Sequence, residues 1–228
     1  MAEKTIDIAQ PVLSRNERIA DRLRTRFSES GVFVVNVLSS PGSGKTTTIL
    51  ASSERLRAAG LTCAVIEGDI ASDVDALACK DAGMPAIQIN TGGLCHLEGN
   101  MIEQAVDAFD TSVGLQDIDV IFIENVGNLV CPAEFDTGAV KNAAILSVPE
   151  GDDKPIKYPG IFQHAGAQLL NKVDVAAAFD FDLAEYNHVL DDLNPTAPRF
   201  EVSARHGQGM DAWCDWLLAQ IANKASRA

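Results

Sequence analysis

The sequence predicts an α/β fold in which a mostly parallel sheet carries helices on both faces. Short and almost wholly apolar runs, such as residues 32–38 and 120–123, alternate with segments of helical periodicity. Strands that are apolar on both faces are typical of parallel sheets buried between helices. A glycine-rich turn separates the first apolar run from a helical segment. Polar motifs follow several strands, at the sheet edge where such folds bind ligands.

The predicted elements alternate along the chain. Residues 1–13 show no periodicity and are expected to form a flexible arm, with residues 14–228 forming a single domain. The four-residue spacing of Ile19, Leu23 and Phe27 indicates the first helix. The predicted helices cover 14–27, 46–59, 72–82, 97–109, 181–193 and the segment from 210 onward. The predicted strands cover 32–38, 61–66, 86–90, 120–123, 143–148, 168–170 and 199–202.

The composition limits the classes of partner. The chain has 228 residues, of which 46% are apolar and 22% charged, which is typical of a globular protein. Its net charge of −14 argues against a nucleic-acid or anionic-membrane surface. No apolar stretch approaches the about 20 residues of a membrane span, and no signal-peptide core is expected at the N-terminus. These observations predict a soluble cytoplasmic protein, whose five scattered cysteines are free thiols or metal ligands rather than a disulfide framework.

The glycine-rich turn, Ser-Ser-Pro-Gly-Ser-Gly-Lys-Thr over residues 39–46, predicts a phosphate-binding P-loop. Its glycines allow the tight turn that directs successive N–H groups at one anion, and the following helix adds its positive N-terminal end. Lys45 is expected to reach the β- and γ-phosphates, and the Thr46 hydroxyl to bind Mg²⁺. The predicted phosphate-binding residues are Gly42, Ser43, Gly44, Lys45, Thr46 and Thr47.

A base-recognition motif, Asn-Lys-Val-Asp over residues 171–174, follows a later strand. The carboxylate of Asp174 can accept hydrogen bonds from guanine N1–H and the 2-amino group, whereas adenine offers an acceptor at N1 and no such amino group. The motif therefore favours guanine. The predicted base-side residues are Asn171, Lys172 and Asp174, together with Ser203, Ala204 and Arg205, which follow the next strand and are expected to offer a backbone N–H to the guanine O6.

Two acidic residues lie at the ends of strands that are expected to flank the P-loop strand. Asp69 and Glu124 could each hold Mg²⁺ through water or position the attacking water. The residues alone do not decide which acid has which role. We place Mg²⁺ on Thr46 and Asp69, and we expect Lys45, Asp69 and Glu124 to carry catalysis. Gly127 is expected to leave its backbone N–H free to sense the γ-phosphate.

Cys95, His96 and Cys131 form a candidate site for a softer metal. Thiolate and imidazole ligands suit Zn²⁺ or Ni²⁺ better than Mg²⁺. Three side chains leave a tetrahedral site one ligand short, and pairing of two copies across a twofold interface could complete it.

Taken together, these motifs resemble the HypB family of hydrogenase maturation GTPases. The resemblance runs from about residue 14 to 222, and its most specific part is Glu-Asn-Val-Gly-Asn-Leu-Val-Cys-Pro over residues 124–132. Ser39 at the start of the P-loop is usual in that family. The other matching segments are residues 39–47, 67–69, 90–92, 95–97, 122–123, 157–159 and 171–174.

The resemblance implies a SIMIBI-type P-loop GTPase that dimerises with bound GTP. Such a protein helps to deliver Ni²⁺ to the large subunit of [NiFe]-hydrogenase, usually with the nickel chaperone HypA. Cys95, His96 and Cys131 match the family's metal site at the dimer interface. The sequence departs from some members in two ways: residues 1–30 hold no Cys or His for an N-terminal nickel store, and Asn100 stands where a further His can occur.

Two other functions remain open from the sequence. A P-loop kinase that uses ATP to phosphorylate a small molecule would share the phosphate-binding turn, but it has no need of the motif at 171–174. A GTPase that serves another nickel enzyme, such as urease, is disfavoured by the segment at 124–132.

Overall fold

The fold is built on one parallel sheet, seen in a computed structural model that describes residues 9–70 and 73–225. The described strands are β1 Phe33–Ser39, β2 Cys63–Asp69, β3 Ala86–Asn90, β4 Val120–Glu124, β5 Lys141–Ser147, β6 Ala167–Asn171 and β7 Arg199–Glu201. They lie in the order β3-β2-β4-β1-β5-β6-β7, and every adjacent pair is parallel. The predicted fold class is confirmed.

Eight α-helices precede, connect or follow these strands in the described part of the chain. They are α1 Ala9–Glu29, α2 Lys45–Ala58, α3 Val74–Asp81, α4 Gly99–Ser112, α5 Lys154–Lys157, α6 Pro159–Gln163, α7 Leu183–Leu193 and α8 Met210–Ala225. Residues 9–13, which the sequence assigned to a flexible arm, belong to α1, and residues 1–8 lie outside the described part. The short helices α5 and α6 were not predicted.

Both faces of the sheet are covered by apolar clusters. Along β1, Val35 packs on one face with α2, α3 and α8, whereas Val34 packs on the other face with α1 and α4. A third cluster joins β5 and β6 to α6 and α7. Burial of each large apolar side chain contributes about 1.5–3 kcal/mol, so these clusters explain why the strands carry so few polar residues. No helix among residues 9–70 and 73–225 is long and apolar enough to cross a membrane.

The sheet order decides which motifs meet. Because β1 lies between β4 and β5, the turn after β1 has the end of β4 on one side and that of β5 on the other. Glu67 of β2 pairs in register with Glu124 of β4, and Val37 of β1 pairs with Glu124 on its other side. The carboxyl ends of β1, β2 and β4 therefore gather acidic residues beside the glycine-rich turn.

Candidate nucleotide and metal sites

The glycine-rich turn has the backbone geometry that a phosphate cradle requires. Gly42 and Gly44 have φ angles of 76° and 98°, in the left-handed region that L side chains rarely adopt. Gly44 is the N-cap of α2, which begins at Lys45, so the helix N-terminus opens directly behind the turn. The buried Ser43 hydroxyl donates to Ser39 Oγ at 2.6 Å and fixes the turn from inside.

A cavity of about 1090 Å³ opens over this turn. Most of the residues predicted from the sequence to bind nucleotide line it. These are Gly42, Gly44, Lys45, Thr46, Thr47, Asp69, Glu124, Asn171, Lys172, Asp174, Ser203 and Arg205. Ser43 and Ala204 are not among the lining residues and contribute backbone groups behind the wall.

The base-side motif is tied to the turn by Asn171. Its amide donates to the Ser43 carbonyl at 2.9 Å and its Oδ1 accepts from the N–H groups of Lys172 and Ala204. The Ala204 N–H is therefore engaged by Asn171, although the sequence placed the 203–205 loop where an N–H meets the base. Lys172 donates to the Gly42 carbonyl at 2.6 Å, and among the described residues it alone combines a side chain with positive φ.

Asp174 lies on the wall of the cavity beyond this anchor. The Ser203 hydroxyl, the nearby His206 and Arg205 all lower the pKa of its carboxyl below the ordinary value. The group is therefore an ionised acceptor at neutral pH, which is the state that recognition of guanine requires.

Lys45, Thr46 and Glu124 meet at the inner end of the cavity. The Thr46 hydroxyl donates to Glu124 Oε1 at 3.1 Å, and Lys45 Nζ lies 3.9 Å from the same oxygen. The other oxygen, Glu124 Oε2, is buried, and the carboxyl of Glu67 forms a hydrogen bond with the Glu124 carboxylate. A buried carboxylate beside a hydroxyl and an ammonium group has capacity for a cation or a bound water.

Glu67 is a cavity residue that the sequence reasoning missed. It is only 2% exposed and lies beside Glu124 on the neighbouring strand. Burial, followed by the charge of Glu124, raises the pKa of Glu67 to about 10, so this acid is protonated at neutral pH. The sequence held one signal for this residue, an acid inside a mostly apolar strand. Burial of a charge is costly without a partner, so such an acid is expected to have a specific role. Asp75 of α3 also lines the cavity.

The second site is a cluster of Cys95, His96 and Cys131, whose ligand atoms all lie within 4.8 Å of one another. Cys95 Sγ is 3.7 Å from His96 Nδ1, and the neighbouring Cys95 thiol raises the pKa of Cys131. Asn128 directs its amide at Cys131 Sγ from 3.8 Å. Donor types and spacing fit one thiolate- and imidazole-bound ion of the Zn²⁺ or Ni²⁺ kind. Asn100, where a further His ligand was noted as missing, has a buried Oδ1 without a hydrogen-bond partner in the described chain.

Direct contacts connect the two sites. Asn125, next to Glu124, accepts a hydrogen bond from Leu97 N at 3.1 Å, immediately after His96. Gly68, next to Glu67, packs so closely on Leu97 that an added Cβ would lie 2.7 Å from that side chain. On the other side, Asn128 N donates to Ser39 O at 2.8 Å. Residues 124–131 thus contact the phosphate-binding turn and also carry Cys131 of the candidate metal site.

The same segment packs on the glycine-rich turn at Gly127. A Cβ added there would lie 2.8 Å from Pro41 N, so only glycine allows this approach. The position suits a residue that senses what the turn holds.

Helix α1 contacts both segments that carry the candidate metal ligands. The buried Asn16 amide donates to Asp136 O at 2.8 Å, and its Oδ1 accepts from Gly99 N at 2.7 Å. Gly99 lies three residues after His96, and Asp136 lies five residues after Cys131. Arg24, on the same helix, adds an ion pair with the Asp136 carboxylate. Asn16 was not predicted, because nothing local in the sequence shows a contact over 83 or 120 positions.

Fold and cavity together define a P-loop nucleotide-binding protein with an all-parallel sheet of the SIMIBI type. The family model described as "CobW/HypB/UreG, nucleotide-binding domain" matches residues 33–201. The chain is 44% identical over 217 residues to hydrogenase maturation factor HypB of Escherichia coli (strain K12), which covers 95% of this chain and 73% of that protein. The chain belongs to the HypB family of maturation factors.

Further comparisons support this family membership and the fold. The hydrogenase/urease maturation factor HypB of Helicobacter hepaticus is 42% identical over 215 residues, with 94% of this chain and 88% of that one covered. A crystal structure of HypB from Helicobacter pylori in complex with nickel superimposes with a TM-score of 0.87 at 37% identity, over 92% of this chain and 96% of that one. The signal recognition particle receptor FtsY from Elizabethkingia anophelis, at 16% identity, a TM-score of 0.53, and 84% and 69% coverage, shares the fold alone.

Proposed function

We propose that this protein is a GTP-hydrolysing metallochaperone that assists insertion of Ni²⁺ into [NiFe]-hydrogenase. The observation that carries the proposal is the shared segment 124–131, which begins at an acid of the nucleotide cavity and ends at a metal ligand. A change in what the cavity holds can therefore alter the distance between Cys131 and the Cys95–His96 pair. The HypB family membership and the nickel-bound relative support the choice of Ni²⁺ as cargo, with Zn²⁺ as the other metal that suits these ligands.

GTP is the nucleotide that the cavity suits. Asp174 is ionised on the cavity wall and would accept from guanine N1–H and the 2-amino group. Adenine would leave that carboxylate without donors, which costs about 1–3 kcal/mol. Asn171 and Lys172 hold the base-side loop against the glycine-rich turn, so base and phosphates would be bound by one rigid unit.

Hydrolysis would use the residues at the inner end of the cavity. Lys45 would neutralise the charge that develops on the transferring phosphoryl group. Mg²⁺, when bound with the nucleotide, supplies further electrostatic stabilisation of the phosphates. The Thr46 hydroxyl and the Glu124 carboxylate would hold it, and Asp69 at the end of β2 would hold it through water or orient the attacking water.

A homodimer would complete the metal site. The three ligands leave a tetrahedral ion one ligand short, and a second copy related by a twofold axis would bring an equal set to the same place. Two exposed apolar side chains, Leu94 at 41% and Val130 at 51%, flank the ligands and suit an interface that forms when GTP is bound. HypA and the hydrogenase large subunit are the proposed donor and acceptor of the ion.

Transfer of nickel tests the proposal. Nickel-loaded protein would be mixed with HypA and nickel-free hydrogenase large subunit, in the presence of GTP, a non-hydrolysable GTP analogue or ATP. We expect nickel to appear in the large subunit with GTP and far less with ATP. Equal transfer with ATP would contradict the selectivity for GTP, and absence of transfer together with turnover that favours ATP would support the small-molecule kinase instead.

A second acceptor is favoured by one observation, since the Helicobacter hepaticus relative is a hydrogenase/urease maturation factor. The same transfer assay with nickel-free urease, run in parallel, decides between the two acceptors. Activation of urease alone would replace hydrogenase in the proposal and leave the GTPase assignment intact.

A further inference from the structure

The imidazole of His96 faces a different partner with each ring nitrogen. Nδ1 lies 3.7 Å from Cys95 Sγ, on the side of the metal cluster. Nε2 lies 3.6 Å from Glu98 Oε1, on the side of α4. The ring is 8% exposed and stacks on Phe135, with centroids 3.8 Å apart and planes at 24°. These contacts fix the plane of the ring.

The Nδ1 side has the spacing that a shared ion requires. Zn–S and Zn–N bonds of about 2.3 and about 2.05 Å at a tetrahedral angle place sulfur and nitrogen about 3.6 Å apart. The observed 3.7 Å between Cys95 Sγ and His96 Nδ1 agrees with this value. The geometry therefore favours Nδ1, rather than Nε2, as the atom that binds the metal.

This leaves a donor on the opposite nitrogen. A neutral imidazole that gives the lone pair of one nitrogen to a metal carries its proton on the other. His96 Nε2 is buried and has no hydrogen-bond partner within the described residues. The carboxylate of Glu98 lies only a few tenths of an ångström beyond hydrogen-bond range.

Glu98 has a fixed backbone and a side chain that is available to this nitrogen. Its backbone is fixed as the N-cap of α4, where its carbonyl accepts from the N–H groups of Met101 and Ile102. Its side chain makes no capping hydrogen bond to the helix, although capping is the usual use of a polar side chain at that position. The carboxylate is 28% exposed and can adjust toward the ring.

We propose that Glu98 is a positioning residue of the metal site. It accepts the Nε2–H of His96 and fixes the tautomer that presents Nδ1 to the ion. This inference rests on the proposed metal-binding function and adds a residue to it. Because Phe135 lies four residues after Cys131, the ring of His96 is held by both metal-bearing segments at once.

Nitrogen-15 NMR of the zinc-loaded protein tests the tautomer directly, since Zn²⁺ is diamagnetic. The protein would carry ¹⁵N-labelled histidine, and the His96 signals among those of the four histidines would be assigned by their loss in His96→Ala. We expect a metal-bound Nδ1 and a protonated Nε2 at His96. A metal-bound Nε2, or a His96 ring that zinc does not perturb, would overturn the proposal.

Metal affinity then tests the part played by Glu98. Glu98→Ala should weaken the binding of Zn²⁺ by about 10–100-fold, and Glu98→Gln, which keeps an acceptor oxygen, should recover most of the loss. Glu134→Ala is the control, because it removes an equal charge, carried by an exposed side chain, that acts electrostatically on Cys131. We expect it to change the affinity by no more than about threefold.

Equal losses in Glu98→Ala and Glu134→Ala would show an effect of charge alone and would overturn the role of Glu98. GTP affinity, measured in every variant without added metal, should be unchanged and confirms that the fold is intact. A wild-type protein that binds no zinc or nickel would overturn the metal-site function as well. A wild-type protein that binds metal with the wrong tautomer would overturn only the present inference.

Discussion

A methyl group added at Gly44 tests whether the glycine-rich turn and the base-side loop act as one unit. The Cβ of an alanine there would lie 2.5 Å from Asn171 Nδ2, well inside van der Waals contact. The Asn171 amide donates to Ser43 O at 2.9 Å, and its Oδ1 accepts from Ala204 N. Gly44→Ala should therefore displace Asn171 and loosen the loop that carries Asp174.

The expected loss of stability has two parts. The left-handed backbone of Gly44, with φ of 98°, costs an alanine about 1–2 kcal/mol. Displacement of Asn171 adds about 1–3 kcal/mol, because buried groups lose their partners. Gly42 is the matched control, since its φ is 76° but nothing lies within 4 Å of an added Cβ. Gly42→Ala should therefore cost only the first part, about 1–2 kcal/mol.

Urea unfolding of both variants and GTP-analogue binding to Gly44→Ala provide the measurements. We expect Gly44→Ala to lose about 2–5 kcal/mol of unfolding free energy and at least about tenfold in affinity. In an Asn171→Ala background the clash is gone, so the same substitution should cost only the backbone strain. Equal destabilisation at Gly42 and Gly44, or full additivity with Asn171→Ala, would refute the reasoning.

Three further substitutions probe catalysis, base selection and the support of the metal site. Lys45→Ala removes the cation facing the phosphoryl group, so phosphate release should slow by orders of magnitude; a rate within about tenfold of wild type would speak against its role. Asp174→Asn should shift the preference from guanine toward xanthine in competition against a fluorescent GTP analogue, and an unchanged GTP preference would remove Asp174 as the base reader. Asn16→Ala leaves the Gly99 N–H and the Asp136 carbonyl without their buried partner. It should lower the unfolding free energy by about 2–4 kcal/mol and weaken metal binding, while GTP binding measured without metal is kept; wild-type metal affinity would show that α1 does not hold the site.

The sheet could be predicted because most of its strands are recognisable in the sequence. Most are short apolar runs, and polar motifs at their ends placed Lys45, Asp69 and Glu124 at one edge. The short helices α5 and α6 could not be predicted in this way, since four or five residues give no periodicity and each begins beside a proline.

The candidate metal site was predictable only in part. Cys95 and His96 are adjacent in the sequence, but the approach of Cys131 depends on the sheet order β3-β2-β4 and on the loops that follow β3 and β4. The supports of the site were beyond sequence reasoning. Asn16 acts over long sequence separations, and Glu98 is identified only by the imidazole that it faces.

The central claim is that the nucleotide and metal sites are coupled through residues 124–131. Ni²⁺ would be titrated calorimetrically into the nucleotide-free protein, the GDP complex and the complex with a non-hydrolysable GTP analogue, with Cys95→Ala and Cys131→Ala as controls for the site. We expect the Ni²⁺ affinity to differ between nucleotide states by a coupling free energy of about 1–3 kcal/mol, roughly 5–150-fold, and Ni²⁺ to change nucleotide affinity by the same factor. Identical Ni²⁺ affinity and stoichiometry in all three states of the wild-type protein would contradict the account.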